Sequence, residues 1–252
     1  MAAAGQQKPF WHPVVAIVLA AATFVGAQLL ASVPFALYPV LRHWTNDQAN
    51  AWIDGAYIQF VYVLLAESMT IAAIWQFTRQ GGLRLRDLGW GRFRARFTLY
   101  ALGGFAVYFV AYVLLLVVSD MFFPNIDLNQ QQDIGFQQVY GAGALTVTFL
   151  SLVILPPLAE ELFFRGFLFT SFRRHMKLPI AILLTSLLFA VPHLLESKQP
   201  GSLLWVAGID TFTLSLVLCY LREKTGSLWP GMLLHGIKNL IAFVALYIIV
   251  AH

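Results

Sequence analysis

The chain has 252 residues, of which 59% are apolar and only 11% charged, with a net charge of +4 and a mean hydropathy of +0.72. A water-soluble globule of this size needs a largely polar surface, with about a quarter of its residues charged, and a disordered chain needs low hydrophobicity; the composition excludes both. Cys219 is the only cysteine, so a disulfide scaffold is excluded as well. What remains is one polytopic membrane domain over residues 1–252.

A helix crosses the ~30 Å hydrocarbon core with about 20 mostly apolar residues. Runs of that kind lie near 13–38, 54–77, 98–119, 144–171, 178–195, 202–221 and 229–250. They are continuously apolar, without the ~10-residue alternation of a barrel strand, so the expected fold is all-α with about seven transmembrane helices. The first run is preceded only by Lys8 and exceeds the 7–15 residues usual for a signal-peptide core, so it reads as a span. The fourth is long and contains Pro156 and Pro157, which predicts a kink; the fifth is short and contains Pro192.

Basic residues set the orientation. With the N-terminus inside, the inner side holds Lys8, Arg79, Arg84, Arg86, Arg92, Arg94, Arg96, Arg173, Arg174, Lys177, Arg222 and Lys224, and the outer side only Arg42 and Lys198. The outer loops also carry Asp47, Asp120, Asp127, Asp133 and Glu196. The expected topology is N-in and C-out. The Arg-rich 79–96 loop, which also holds Leu88, Trp90 and Phe93, then faces anionic headgroups, and the positive charge requires no nucleic-acid partner. The polar stretch 120–143, with Asn129, Gln131, Gln132, Gln137 and Gln138, reads as an outer loop.

Ionisable residues within a membrane helix are costly and mark function by default. Here they are Glu67, Glu160, Glu161, Arg165, His193, Asp210, His235 and Lys238, mostly on the last four helices. In Pro156-Pro157-Leu158-Ala159-Glu160-Glu161-Leu162-Phe163-Phe164-Arg165, Glu161 and Arg165 are four apart and share a face. Glu160 is rotated about 100° from Glu161, so the two carboxylates are not expected to share a partner. Arg165 neutralises Glu161, which leaves Glu160 for chemistry; the bland alternative is that both acids are helix glue. The prolines lack the N–H groups that would bond the Leu152 and Val153 carbonyls, and such irregularity is tolerated inside protein or beside a wet cavity. Phe189 and His193 share a face of the fifth helix, and His235 and Asn239 a face of the seventh. Glu67, Asp210 and Lys238 read as support, with Asp210 and Lys238 a candidate interhelical pair.

A carboxylate and a histidine can together take a proton from water and return one to a leaving amine, while a second histidine and an asparagine amide can donate to the oxyanion of a tetrahedral intermediate. That suffices for peptide hydrolysis without a covalent intermediate, and no Gly-x-Ser-x-Gly elbow is present.

Glu160-Glu161 with Arg165, Phe189 with His193, and His235 with Asn239 follow one another in order over 144–245. In this the chain resembles the CAAX-protease and bacteriocin-processing family of intramembrane endopeptidases, also called Abi or Rce1-like proteases, whose signature is Glu-Glu-x-x-x-Arg, Phe-x-x-x-His and His-x-x-x-Asn on separate helices. The resemblance implies that Glu160, assisted by His193, activates water, that His235 and Asn239 stabilise the oxyanion, and that Glu161, Arg165 and Phe189 support them. It implies a substrate that is a peptide or protein, lipidated or membrane-bound substrates included, and membrane lipids as the other partners. Some members trim three residues after a prenylated cysteine, but bacterial members act on other peptides, so that specificity does not transfer. A catalytic zinc held by Glu160, His193 and His235 is the alternative; the usual His-Glu-x-x-His helix is absent, and the expectation is a glutamate-dependent enzyme without a cofactor.

Rise per residue places Glu160 and Asn239 about 15 Å from the basic ends of their helices and His193 about 22 Å from the start of its own. Agreement requires the fifth helix to start deeper, tilt or break at Pro192. The expectation is a wet conical cavity opening to the cytoplasm, with cleavage near that side, in a prokaryotic plasma (inner) membrane. The competing class is a non-proteolytic membrane scaffold or immunity protein of the same fold. A secondary transporter ranks third, because neither internal repeats nor paired broken helices are evident.

Overall fold

The computed structural model describes residues 11–123, 127, 130, 135–136, 139–195 and 203–249. Among these, seven helices are long and apolar enough to cross a membrane: α1 (Pro13–Leu41), α3 (Ala56–Gln80), α4 (Arg96–Phe122), α5 (Gly141–His175), α6 (Leu178–Leu195), α7 (Trp205–Thr225) and α8 (Trp229–Ile249). A short helix, α2 (Asn46–Ile53), joins α1 to α3 and starts with a capping box in which Thr45 and Gln48 satisfy each other's backbone N–H groups. The protein is an all-α integral membrane protein. Of the charges used for orientation, Lys8, Asp133, Glu196 and Lys198 lie outside the described residues, as do Asn129 and Gln131, Gln132, Gln137 and Gln138 of the polar stretch.

Helices in lipid gain nothing from excluding water from one another, so small residues that allow close approach decide where they pack. On α1 these are Ala16, Ala20, Thr23, Ala27 and Ala31, all buried, and α1 lies against α3. On α4, Phe97, Ala101, Gly104 and Tyr108 form the buried stripe that faces α7 and α8. The centre of the bundle is the second half of α5, where every residue from Glu161 to Phe172 is buried.

The two ends of the bundle differ. At the basic end, a single 3₁₀ turn (Leu85–Leu88) drives Leu88 completely into the core beside Phe167, Phe172 and Leu228. Gly89 then turns the chain with φ +93°, a left-handed value, and a Cβ there would lie 2.7 Å from the Arg222 guanidinium carbon. The Leu228 N–H donates to the Gly89 carbonyl at 3.0 Å and the Trp229 indole N–H to the Gly91 carbonyl at 2.7 Å. The loop is therefore a plug over the α7–α8 turn.

Toward the other end α5 departs from α-geometry. Leu150–Ile154 is π-helical, Leu155–Glu160 α-helical and Glu161–Leu168 π-helical again. Pro156 and Pro157 cannot donate backward, so the distortion that the sequence predicts as a kink appears as π-turns on both sides of the Pro-Pro step. α6 runs unbroken through Pro192 to Leu195, so no break there brings His193 into place.

Candidate active site

Glu161 and Arg165 form the expected pair: Arg165 Nη1 donates to Glu161 Oε1 at 2.9 Å, and both side chains are essentially fully buried. Taking either charge out of water into a medium of low dielectric costs several kcal/mol, so each depends on the other. Gly231, in the first turn of α8, makes room for the pair, since a Cβ there would lie 2.5 Å from Glu161 Oε2. Sequence reasoning passed over Gly231, although Trp229-Pro230-Gly231 four residues ahead of His235 marks a helix start that approaches something closely.

The buried His235 ring stands between the two acids. Its Nε2 is 3.9 Å from Glu160 Oε2 and its Nδ1 is 3.5 Å from Glu161 Oε1. The expectation that the two carboxylates have no common partner is thus corrected: adjacent helical positions point about 100° apart, but an imidazole carries nitrogens on opposite edges and reaches both.

Phe189, 1% exposed, holds the remaining geometry. Its ring centroid lies 5.4 Å from that of His193 and 5.9 Å from that of His235, both edge-on, and the Arg165 guanidinium sits 4.3 Å from the same centroid. A desolvated cation over an aromatic face is worth about 2 kcal/mol. Phe189 therefore spaces both histidines and steadies the buried cation.

Asn239 has a use that the sequence did not reveal. Its Nδ2 donates to the Leu152 carbonyl at 2.9 Å. This is one of the two carbonyls left without a backbone donor by the Pro-Pro step, so α8 repairs a defect in α5. An amide nitrogen carries two protons, and the second remains for another acceptor.

One cavity of about 430 Å³ is lined by Glu160, His193, His235 and Asn239 together, with Phe189, Pro156 and Leu152. Lys238 is also on its wall; its Nζ is 2.8 Å from Asp210 Oδ2, and Asp210 in turn accepts a hydrogen bond from Tyr108, so the candidate pair forms and ties α4, α7 and α8. The cavity runs along α8 from His235 past Asn239 to Ala242 and Leu246, both exposed at its rim. That is away from Trp229 and the basic loops. A mouth on the basic end is therefore corrected: Leu88, Phe172 and Leu228 fill that end, while the Pro-Pro distortion leaves space at the other.

Among the described residues no three His, Cys, Asp or Glu side chains converge as metal ligands. No step below passes through a metal.

The bundle and its cavity define a class: a polytopic membrane protein with an acid, two imidazoles and an amide around one intramembrane space. Residues 142–241 match the family model described as Rce1-like, type II CAAX prenyl endopeptidase Rce1-like. This matched segment is less than half of the chain and contains all seven candidate site residues. The chain is also 33% identical over 144 residues to the uncharacterized protein YyaK of Bacillus subtilis (strain 168). The alignment covers 56% of this chain and 46% of that protein, so the chain spans less than half of the relative's length. No solved structure matches the chain.

Proposed function

We propose that the protein is a membrane-embedded endopeptidase in which Glu160, assisted by His193, activates water, and His235 with Asn239 receives the oxyanion. The observation that carries this reading is the single cavity onto which all four side chains open. Glu160 Oε2 is buried without a hydrogen-bond partner, a placement suited to holding the hydrolytic water. In the reaction Glu160 takes a proton from that water, and the hydroxide oxygen bonds to the carbonyl carbon. The resulting oxyanion accepts from the free Asn239 amide proton and from His235. Collapse breaks the C–N bond as Glu160 returns its proton to the leaving nitrogen. The Nδ1 edge of His235 lies 3.5 Å from Glu161 without a hydrogen bond, and its Nε2 edge, which carries the donated proton in this reading, faces Glu160 and the cavity.

The substrate class is a peptide or protein that reaches the site past Ala242 and Leu246, and the location is a prokaryotic plasma membrane. With the basic loops inside, that route starts in the outer half of the bilayer, not near the cytoplasmic side. No cofactor is invoked, and membrane lipids are the only other partners.

The test is cleavage of membrane peptides by purified protein. Glu160→Gln is expected to lower kcat by about 10²–10⁴-fold, the usual contribution of a general acid–base group, with an unchanged melting temperature. A Glu160→Gln variant as active as the wild type sinks the mechanism. A folded wild type that cleaves nothing while the variant keeps its phenotype favours a scaffold or immunity protein of the same fold.

A further inference from the structure

Glu160, His193 and Phe189 have a second side. Behind them, away from the large cavity, lies a smaller chamber of about 130 Å³ closed by α1 and α3. It shares Glu160, His193 and Phe189 with the large cavity and adds Gln28, Glu67 and Thr70, with Phe24, Phe163 and Phe164 completing the wall. Three polar side chains on lipid-embedded helices that converge on one enclosed space call for an explanation. Two of them have local uses: Gln28 accepts a hydrogen bond from Tyr62, and Thr70 donates to the Ala66 carbonyl at 2.9 Å. Glu67 makes neither a hydrogen bond nor an ion pair among the described residues, and the other acid on the same chamber is Glu160.

Two carboxyl groups on one enclosed space, charged or protonated, need polar partners there. The chamber has the size and chemistry for water to be such a partner. At ~30 Å³ of liquid per molecule, its volume corresponds to about four waters, and a buried water needs two to four polar partners. Glu67, Gln28, Thr70, Glu160 and His193 supply them.

We propose, on the footing of the peptidase reading above, that this chamber is the water store of the active site and that Glu67 is a positioning residue, orienting the hydrolytic water toward Glu160 from behind. A peptide seated in the large cavity displaces water from that side. The carboxylate and imidazole of Glu160 and His193 remain in contact with the chamber, so the attacking water is replenished without the substrate leaving. Glu67 is fixed as an acceptor for a water proton that does not point at Glu160, which turns the other proton toward the base. No bond to Glu67 forms or breaks.

The experiment combines cleavage kinetics with radiolytic hydroxyl labelling, which marks side chains next to internal water. Wild type and Glu160→Gln come first: cleavage by one and not the other establishes the peptidase reading separately. Glu67→Gln is then expected to lower kcat at least about tenfold, less than a direct acid–base group would cost, with KM unchanged. Glu67→Asp should restore part of the rate. Thr70→Leu, which fills the chamber without touching the large cavity, should do the same to kcat. In the wild type Phe24 and Phe164 should be labelled, and in Thr70→Leu they should not. Glu67→Gln with wild-type kcat overturns the role of Glu67, whatever the labelling. Absence of label on Phe24 and Phe164 in the wild type overturns the water store, whatever the kinetics.

Discussion

The two ends of this bundle solve opposite problems with neighbouring residues. At the basic end, Leu88, Phe167, Phe172 and Leu228 leave almost no exposed surface, and the 85–91 loop is fastened over them by backbone bonds from Leu228 and the Trp229 indole. At the other end, α5 gives up regular hydrogen bonding across the Pro-Pro step, and a side chain of α8 repairs only part of the loss. The sealed end fixes α5, α7 and α8 relative to one another; the irregular end borders the large cavity. The polar groups sit at the junction, on a rigid support but facing space.

This contrast can be broken from the sealed side first. Arg165→Ala leaves Glu161 as an uncompensated buried charge and should destabilise the protein by about 3–5 kcal/mol, read by thermal unfolding in detergent. The double variant Glu161→Met/Arg165→Met should recover most of that stability while remaining inactive, because a buried pair replaced by apolar groups of similar volume is often neutral. A single variant as stable as the wild type would show that the pair is not dry.

Asn239→Leu tests the junction. It leaves the Leu152 carbonyl unsatisfied, at a cost of about 1–3 kcal/mol, and removes an oxyanion donor, worth about 10²–10³ in kcat. Loss of stability without loss of rate would confine Asn239 to the repair of α5. Gly231→Ala should displace the Glu161 carboxylate from its seat and lower both stability and kcat, but by less than Arg165→Ala, since the chain can shift by a few tenths of an ångström.

The smallest effect is expected on the open side. Lys238→Met leaves Asp210 with the hydrogen bond from Tyr108, and because this pair is partly exposed whereas Glu161–Arg165 is dry, the melting temperature should fall by less than in Arg165→Ala. The rim can be located directly: a thiol reagent should modify Ala242→Cys and Leu246→Cys and block cleavage, while Leu228→Cys stays unmodified. Reaction at position 228 with silence at 242 and 246 would reverse the assignment of the mouth.

Much of this architecture was legible from residue order alone. Seven spans follow from the length of apolar runs, because a bilayer fixes how long such a run must be. The Glu161–Arg165 pair follows from four-residue spacing, which any helix converts into contact. The ordered Glu-Glu, His and His…Asn motifs marked, before any helix was placed, four residues that line one cavity. Gln28 was present as a polar residue in the first span, and its meaning emerges only beside Glu67 and Thr70.

What the tertiary structure alone decided is how the helices are rotated and offset against one another. That placed one imidazole between two acids which their own helix turns apart, and aimed the Asn239 amide at a carbonyl 87 residues away in sequence. It also put the plug at the basic end and the rim at the other, where residue depths along the helices had led to an expected mouth toward the cytoplasm. Spacing along a helix is a local property of the backbone and can be read from sequence. Rotation between helices is set by which small residues, distorted turns and buried pairs fit together at once, and that becomes visible only when all seven are packed.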